Sequence, residues 1–137
     1  MMYGFDSTTG EGAGIIVDKI TGQKYVIVLH VGGFTEILKI GTSKWTEGSI
    51  LIPDGYMPMT AILTFPLTVA MEGEFFVFGG AILDFKSQDL IPNDIVYKMV
   101  CENDECLWSK TSVQLSEPMI STFPVAISVP NEVLNCK

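Results

Sequence analysis

The sequence predicts an all-β fold built from short antiparallel strands. Apolar residues occur in short blocks rich in Val, Ile, Phe and Tyr, and none of these blocks keeps the period of about 3.6 residues that a helix requires. Gly, Pro, Asn and Asp separate the blocks, as expected for tight turns between strands. With 137 residues, of which 47% are hydrophobic, the chain is long and apolar enough for one packed domain.

Nine blocks have the composition of β-strands, since β-branched and aromatic residues predominate in them. They are residues 14–18, 24–31, 36–40, 44–50, 67–71, 75–78, 94–100, 107–113 and 125–129. Residues 1–11 contain no such block. We therefore expect a flexible leader over 1–11, followed by a β-domain over 12–137.

Charge and apolar content limit the classes of partner. The chain has 16 Asp and Glu against 8 Lys and Arg, and its net charge of −8 has the wrong sign for binding phosphate backbones. The longest apolar stretches, 25–34 and 61–71, are shorter than the roughly 18 to 20 residues of a membrane-spanning helix. We expect a soluble protein that binds neither nucleic acid nor membrane.

The amino terminus and the cysteines bear on the cellular location. No basic flank precedes an apolar run, so no signal peptide is predicted and the default location is cytoplasmic. Cys101 and Cys106 flank a short acidic turn and would face each other across a hairpin. A bridge between them would indicate an extracellular, oxidising location, whereas two half-buried thiols would not. Both alternatives are open, and Cys136 has no assigned role.

A strand that ends in a double glycine occurs twice in the chain. It spans residues 25–33 and again 74–80, with the first glycines at Gly32 and Gly79. Each copy is followed by a second run of β-type composition. An internal repeat must be considered before any other fold, because a repeated unit decides the whole architecture.

The similarity continues beyond the second run. Each copy reaches a tryptophan, Trp45 or Trp108, and then a Pro-Met pair followed by a Phe-Pro dipeptide that opens a further apolar block. These later features occupy residues 58–70 and 118–127. Two independent segments therefore repeat in the same order.

A four-strand unit with a double glycine after its second strand and a tryptophan in its fourth resembles the Kelch repeat of β-propellers, whose period is about 50 residues. The resemblance implies one blade over about 12–50, a second over about 67–114, and the first strand of a further blade over about 125–129. The blades are divergent, since no arginine follows either Pro-Met pair. Because propellers typically close with about 4 to 8 blades, it also implies an incomplete propeller.

Seven residues are expected to have structural roles in such blades. Glycine allows positive φ and close packing at the corner of a sheet. The indoles fill the space between adjacent blades, and the phenol packs in the same layer with its hydroxyl bonded to nearby backbone. The residues are Gly32, Gly33, Gly79, Gly80, Trp45, Trp108 and Tyr97.

Two segments are candidate binding sites, because loops of Kelch-type propellers often line the binding face. Residues 81–92 are predicted to form a loop that mixes apolar and polar side chains, as recognition surfaces do. The alternative is a loop that folds its own apolar residues onto the blade edge. Residues 52–58, between the blades, are the second candidate. The predicted contacts are Asp84, Phe85, Lys86, Gln88, Asp89, Tyr56 and Met57.

Signatures of catalysis are nearly absent. His30 is the one histidine and lies in an apolar run, so we predict no catalytic residue, metal or cofactor. The sequence predicts a non-catalytic protein–protein interaction module, a Kelch-type propeller fragment that acts as a scaffold or adaptor for another protein. One alternative is part of a propeller enzyme with its catalytic residues outside this chain. Another is a stand-alone β-sandwich, or a blade pair that completes a ring by self-association through its open edges.

Overall fold

A computed structural model describes residues 10–116, which form β-strands joined by turns and irregular segments, with no helix in this range. The predicted all-β class is confirmed, and all pairings between these strands are antiparallel. The strands of this part are β1 (Gly10–Val17), β2 (Lys24–His30), β3 (Thr35–Lys39), β4 (Trp45–Glu47), β5 (Ala61–Thr64), β6 (Leu67–Met71), β7 (Glu74–Phe78), β8 (Ala81–Asp84), β9 (Leu90–Pro92), β10 (Ile95–Glu102) and β11 (Glu105–Gln114). The strand predicted at 125–129 lies outside the described residues.

Sheet 1 consists of β1, β2, β3 and β4 in chain order. Trp45 lies in its fourth strand, and the double glycine follows its second. β1 begins at Gly10, which pairs with His30 of β2. Residues 10 and 11 therefore belong to the sheet rather than to a leader, because β2 offers them a pairing edge.

Sheet 2 consists of β6, β7, β10 and β11, also in chain order. Trp108 lies in its fourth strand, and the double glycine again follows its second. β10 and β11 form a hairpin in which Cys101 pairs directly with Cys106, and a disulfide joins the two. The two four-stranded sheets thus carry the repeated residues at equivalent places.

Sheet 3 continues three strands of sheet 2 beyond a common bend. It has the order β5, β8, β9. Along the chain, β5 leads into β6, β8 follows β7, and β9 leads into β10. The bend passes through Phe65, Gly79 and Gly80, which all have positive φ, and through the buried Asn93. The Asn93 amide Nδ2 donates to the carbonyl oxygens of Gly79 and Ile95, both at 3.0 Å.

The predicted loop over 81–92 is wrong, since β8 and β9 form a hairpin there. A double glycine can end a strand or bend it. At Gly79 and Gly80 the chain bends and pairing then resumes, with Ile82 buried on the core side. Only the five residues between Asp84 and Leu90 form the turn.

The apolar core lies between sheets 1 and 2 and continues under sheet 3. Sheet 1 contributes alternate residues of β1 and β2, and sheet 2 contributes alternate residues of β7 and β10, as one face of each sheet requires. The central members are Ile16, Tyr25, Ile27, Leu29, Phe75, Val77, Tyr97, Met99 and Cys101. Leu63 and Ile82 extend this cluster beneath sheet 3.

The tryptophan of sheet 2 faces sheet 1. Directly paired neighbours share one face of a sheet, and Trp108 ends such a row across sheet 2, formed by Ala70, Phe75, Met99 and Trp108. Phe75 and Met99 are fully buried. Ala70 and Phe75 lie directly against the backbone of Gly14 in β1. We call the tryptophan side of each sheet its leading face and the opposite side its trailing face.

Trp45, the tryptophan of sheet 1, points away from the shared core. The equivalent row there is Ile15, Val26, Leu38 and Trp45. Ile27, the neighbour of Val26 along β2, is in the core, so this row lies on the opposite face. The leading face of sheet 2 therefore packs on the trailing face of sheet 1. Equivalent faces of the two sheets therefore point in the same direction. In a sandwich of two like faces, they would point towards each other.

Candidate functional site

An apolar groove of about 260 Å³ opens where three segments of the chain meet. Its walls come from the turn between β2 and β3, the segment between β4 and β5, and the turn between β8 and β9. Several of its lining side chains are exposed: Phe34 at 50%, Ile50 at 42%, Met59 at 78% and Phe85 at 46%. A cluster of exposed large apolar side chains is typical of an interaction site.

Gly33 fixes the first wall of the groove. Its φ is +87°, and a Cβ at this position would overlap the carbonyl oxygen of Leu51. The Leu51 N–H donates to the Gly33 carbonyl oxygen at 2.8 Å. Only glycine permits this approach of two backbones, and the approach places Phe34 beside Ile50.

Asp84 shapes the turn that carries Phe85. Its Oδ1 accepts hydrogen bonds from the N–H of Lys86 at 2.9 Å and of Ser87 at 3.4 Å, as in an Asx-turn. The Phe85 N–H donates to the carbonyl oxygen of Thr60 at 3.0 Å. The carboxylate thus supports the turn, and the backbone of Phe85 is held against the segment that ends at β5.

The predicted contact residues have different environments. Phe85 lines the groove, whereas Tyr56 is half-buried and packs against the core. Met57 is 70% exposed but does not line the groove. Three others are exposed on the β8–β9 turn outside the lining: Lys86, Gln88 and Asp89. The groove therefore joins the two predicted segments through Phe85 and Pro58.

Two exposed residues that line the groove, Phe34 and Met59, are not among the contacts predicted from the sequence. Phe34 directly follows the first double glycine, and Met59 belongs to the first Pro-Met pair. Phe34 therefore adjoins one motif of the repeat, and Met59 is part of another. The motifs themselves are the sequence signal that could identify these residues.

Tyr97 and Trp108 connect sheet 2 to the segment that follows β4. The Tyr97 hydroxyl oxygen accepts a hydrogen bond from the N–H of Asp54 at 2.8 Å. Trp108 Nε1 donates to the carbonyl oxygen of Ser49 at 3.1 Å. These bonds lie on either side of residues 50–52, which form part of one wall of the groove.

A buried carboxylate joins the turns of the two sheets. Asp18 follows β1, and its side chain accepts hydrogen bonds from four backbone N–H groups, those of Ile20 at 2.8 Å, Thr21 at 2.9 Å, Asn103 at 3.0 Å and Asp104 at 2.6 Å. Burial by itself raises the pKa of this carboxyl group. The four donors outweigh it and hold the pKa of Asp18 well below its ordinary value.

Tyr25 reaches the same junction from the core. Its hydroxyl donates a hydrogen bond to the carboxylate of Asp104. Burial and then this bond raise the pKa of Tyr25 to about 12. Lys39 Nζ lies 3.8 Å from the same carboxylate, so the turn between β10 and β11 is tied to sheet 1 by several polar contacts.

Glu74 of β7 contacts Lys19, the residue that follows Asp18, and also Lys98 of β10. Its carboxylate lies 2.5 Å from Lys19 Nζ and 3.6 Å from Lys98 Nζ. Burial raises the pKa of Glu74, but the two lysines outweigh it and lower the pKa. The same contact raises the pKa of Lys19.

The histidine is paired within sheet 1. His30 Nε2 lies 2.6 Å from Glu36 Oε1, and the Glu36 side chain is buried.

Within residues 10–116 no group of three or more His, Cys, Asp or Glu side chains is placed to hold a metal ion. In the same part of the chain, no helix has the length and apolar character needed to span a membrane.

None of the protein-family models, curated proteins or solved structures with which the chain was compared matches it.

Proposed function

We propose that the chain forms two Kelch-like blades of an incomplete propeller. Each four-stranded sheet carries a double glycine after its second strand and a tryptophan in its fourth. Equivalent faces of the two sheets point in one direction, so the arrangement can be continued by further sheets. Head-to-tail contacts of this kind generate rings when the rotation closes. This stacking supports the propeller assignment.

The function of the module is to bind another protein as a non-catalytic scaffold or adaptor. The observation that carries this proposal is the apolar groove between the two predicted binding segments. Pockets for small molecules typically start at about 300 Å³, and this groove has about 260 Å³. It is suited to one or two large side chains of a protein partner.

Charge narrows the chemistry of that partner. The net charge of −8 attracts basic segments over distances longer than direct contacts. We therefore expect an apolar anchor flanked by Lys or Arg. The Cys101–Cys106 bridge supports an oxidising compartment for the encounter, because such bonds persist there.

The proposal is tested by selection from a displayed library of random short peptides with the full chain as bait. Enriched peptides should share an aromatic or aliphatic anchor beside Lys or Arg. Binding of a selected peptide should weaken roughly tenfold, about 1.4 kcal/mol, in Met59→Ala and in Phe85→Ala.

Met57→Ala is the matched control. It removes the same side chain two residues away, outside the groove, and should leave peptide affinity unchanged. Failure to enrich any peptide, or equal losses in Met57→Ala and Met59→Ala, would show that the groove is not the binding site.

A further inference from the structure

The leading face of sheet 1 carries an apolar row that no sheet of residues 10–116 covers. Ile15, in the edge strand β1, is 50% exposed. In the equivalent row of sheet 2, sheet 1 covers Phe75 and Met99 completely. The open row consists of Ile15, Val26, Leu38 and Trp45.

The trailing face of sheet 2 is likewise not covered by another sheet of residues 10–116. Its central row is formed by directly paired residues, Val69, Phe76, Lys98 and Ser109. Met71 and Leu107 on the same face are 44% and 52% exposed. The two-sheet unit therefore leaves one leading face and one trailing face uncovered, on its opposite sides. A leading face packed on a trailing face is also the contact that joins sheet 2 to sheet 1.

From these open faces, and resting on the stacking proposed above, we infer that the leading face of sheet 1 binds the trailing face of sheet 2 in a second copy of this chain. The contact repeats the one inside the chain, where the row of Trp108 packs against β1. It is head to tail, because the two surfaces differ. Such contacts close into rings or extend into fibres.

The mass of the full chain in solution tests the inference. A ring of about 4 to 8 sheets would hold two to four copies, so light scattering should report a discrete multiple of 15.0 kDa. Ile15→Glu and Val69→Glu each place a charge in one of the two faces, and each variant alone should run as a single chain. Ile20→Glu is the matched control, since Ile20 is 67% exposed in the turn after β1.

Mixing the two variants gives the decisive result. Ile15→Glu retains an intact trailing face and Val69→Glu an intact leading face, so an equal mixture should form a one-to-one pair. Circular dichroism checks that each variant is folded. Formation of the pair is a second check, because only folded chains can form it. A wild-type protein that stays at 15.0 kDa, or folded variants that do not pair, would overturn the inference.

The outcome is separable from that of the proposed function. Peptide binding by the Ile15→Glu single chain should equal that of the wild type, because Ile15 does not line the groove. If Ile15→Glu does not assemble but binds peptide normally, the substitution has affected only the interface between copies. Normal assembly without any peptide binding would instead contradict the groove as the binding site.

Discussion

Trp108 Nε1 in β11 donates a hydrogen bond of 3.0 Å to the hydroxyl oxygen of Thr35 in β3. The bond crosses from sheet 2 to sheet 1 between residues 73 positions apart in the sequence. The indole ring also packs against Phe75, with ring centroids 6.1 Å apart. One side chain therefore combines apolar packing with a directional contact at the junction of the sheets.

Replacing Trp108 with Phe keeps a ring and removes the N–H. We expect the free energy of unfolding to fall by about 1–2 kcal/mol, because two acceptors at the junction lose their donor. Denaturant unfolding measures the change. Thr35→Val and the double variant complete a mutant cycle, in which the combined loss should be smaller than the sum. Strictly additive losses would argue against the bond.

Replacing Gly80 with Ala should destabilise the protein more than replacing Gly22. The two residues have nearly the same φ, +75° and +76°, so the backbone cost of about 1–2 kcal/mol is common to both. A Cβ at Gly80 would overlap the carbonyl oxygen of Thr64, whereas nothing lies within 4 Å of one at Gly22. Thermal unfolding compares the two variants. Equal melting temperatures would disprove close packing at the bend.

Acidification should destabilise the fold through Asp18 and Glu74. Both pKa values are lower in the folded protein than in the unfolded chain, so the folded state binds fewer protons. Their contribution to stability is present above the ordinary values of 3.8 and 4.5 and is lost as the pH falls below them. Melting temperature measured against pH tests this dependence.

Asp18→Asn and Glu74→Gln are the variants that assign the acid dependence. Each should melt at a lower temperature than the wild type at neutral pH and lose less on acidification, because one titrating carboxylate is gone. Asp89→Asn, at an exposed turn, serves as control. An unchanged acid dependence in both junction variants would mean that other groups dominate it.

Removing the Cys101–Cys106 bridge should lower the free energy of unfolding by about 2 kcal/mol, as expected for a short closed loop. The bridge closes the hairpin whose turn supplies two of the amides bound by Asp18. Denaturant unfolding of the Cys101→Ser, Cys106→Ser double variant measures the effect. A reductant should destabilise the wild type and leave this variant unchanged; an equal response would point to another bond.

Local patterns in the sequence predicted most strands. Every predicted strand that falls within residues 10–116 corresponds to a strand of the structure, and β6 has the predicted bounds. The strands that were not predicted, β5, β8 and β9, all belong to sheet 3. They lie beyond a bend whose geometry depends on Asn93 meeting Gly79 across the sheet, which no local pattern reveals.

The groove was predictable in part. The apolar and polar mixture of the β8–β9 turn pointed to Phe85, which does line the groove. Composition could not choose between Met57 and Met59, because both are methionines beside Pro58. The fold separates them, since only Met59 lies beside the turn that follows the double glycine.

By itself, the order of residues determined the β class, the repeated unit and its turns, because alternation and glycine placement act over a few neighbouring positions. The direction in which the sheets stack and the meeting of the groove walls depended on tertiary structure. So did the contact of Asp18 with Asn103, 85 residues away. Such contacts form only where distant backbones pack together and exclude water, and no short stretch of sequence contains both partners.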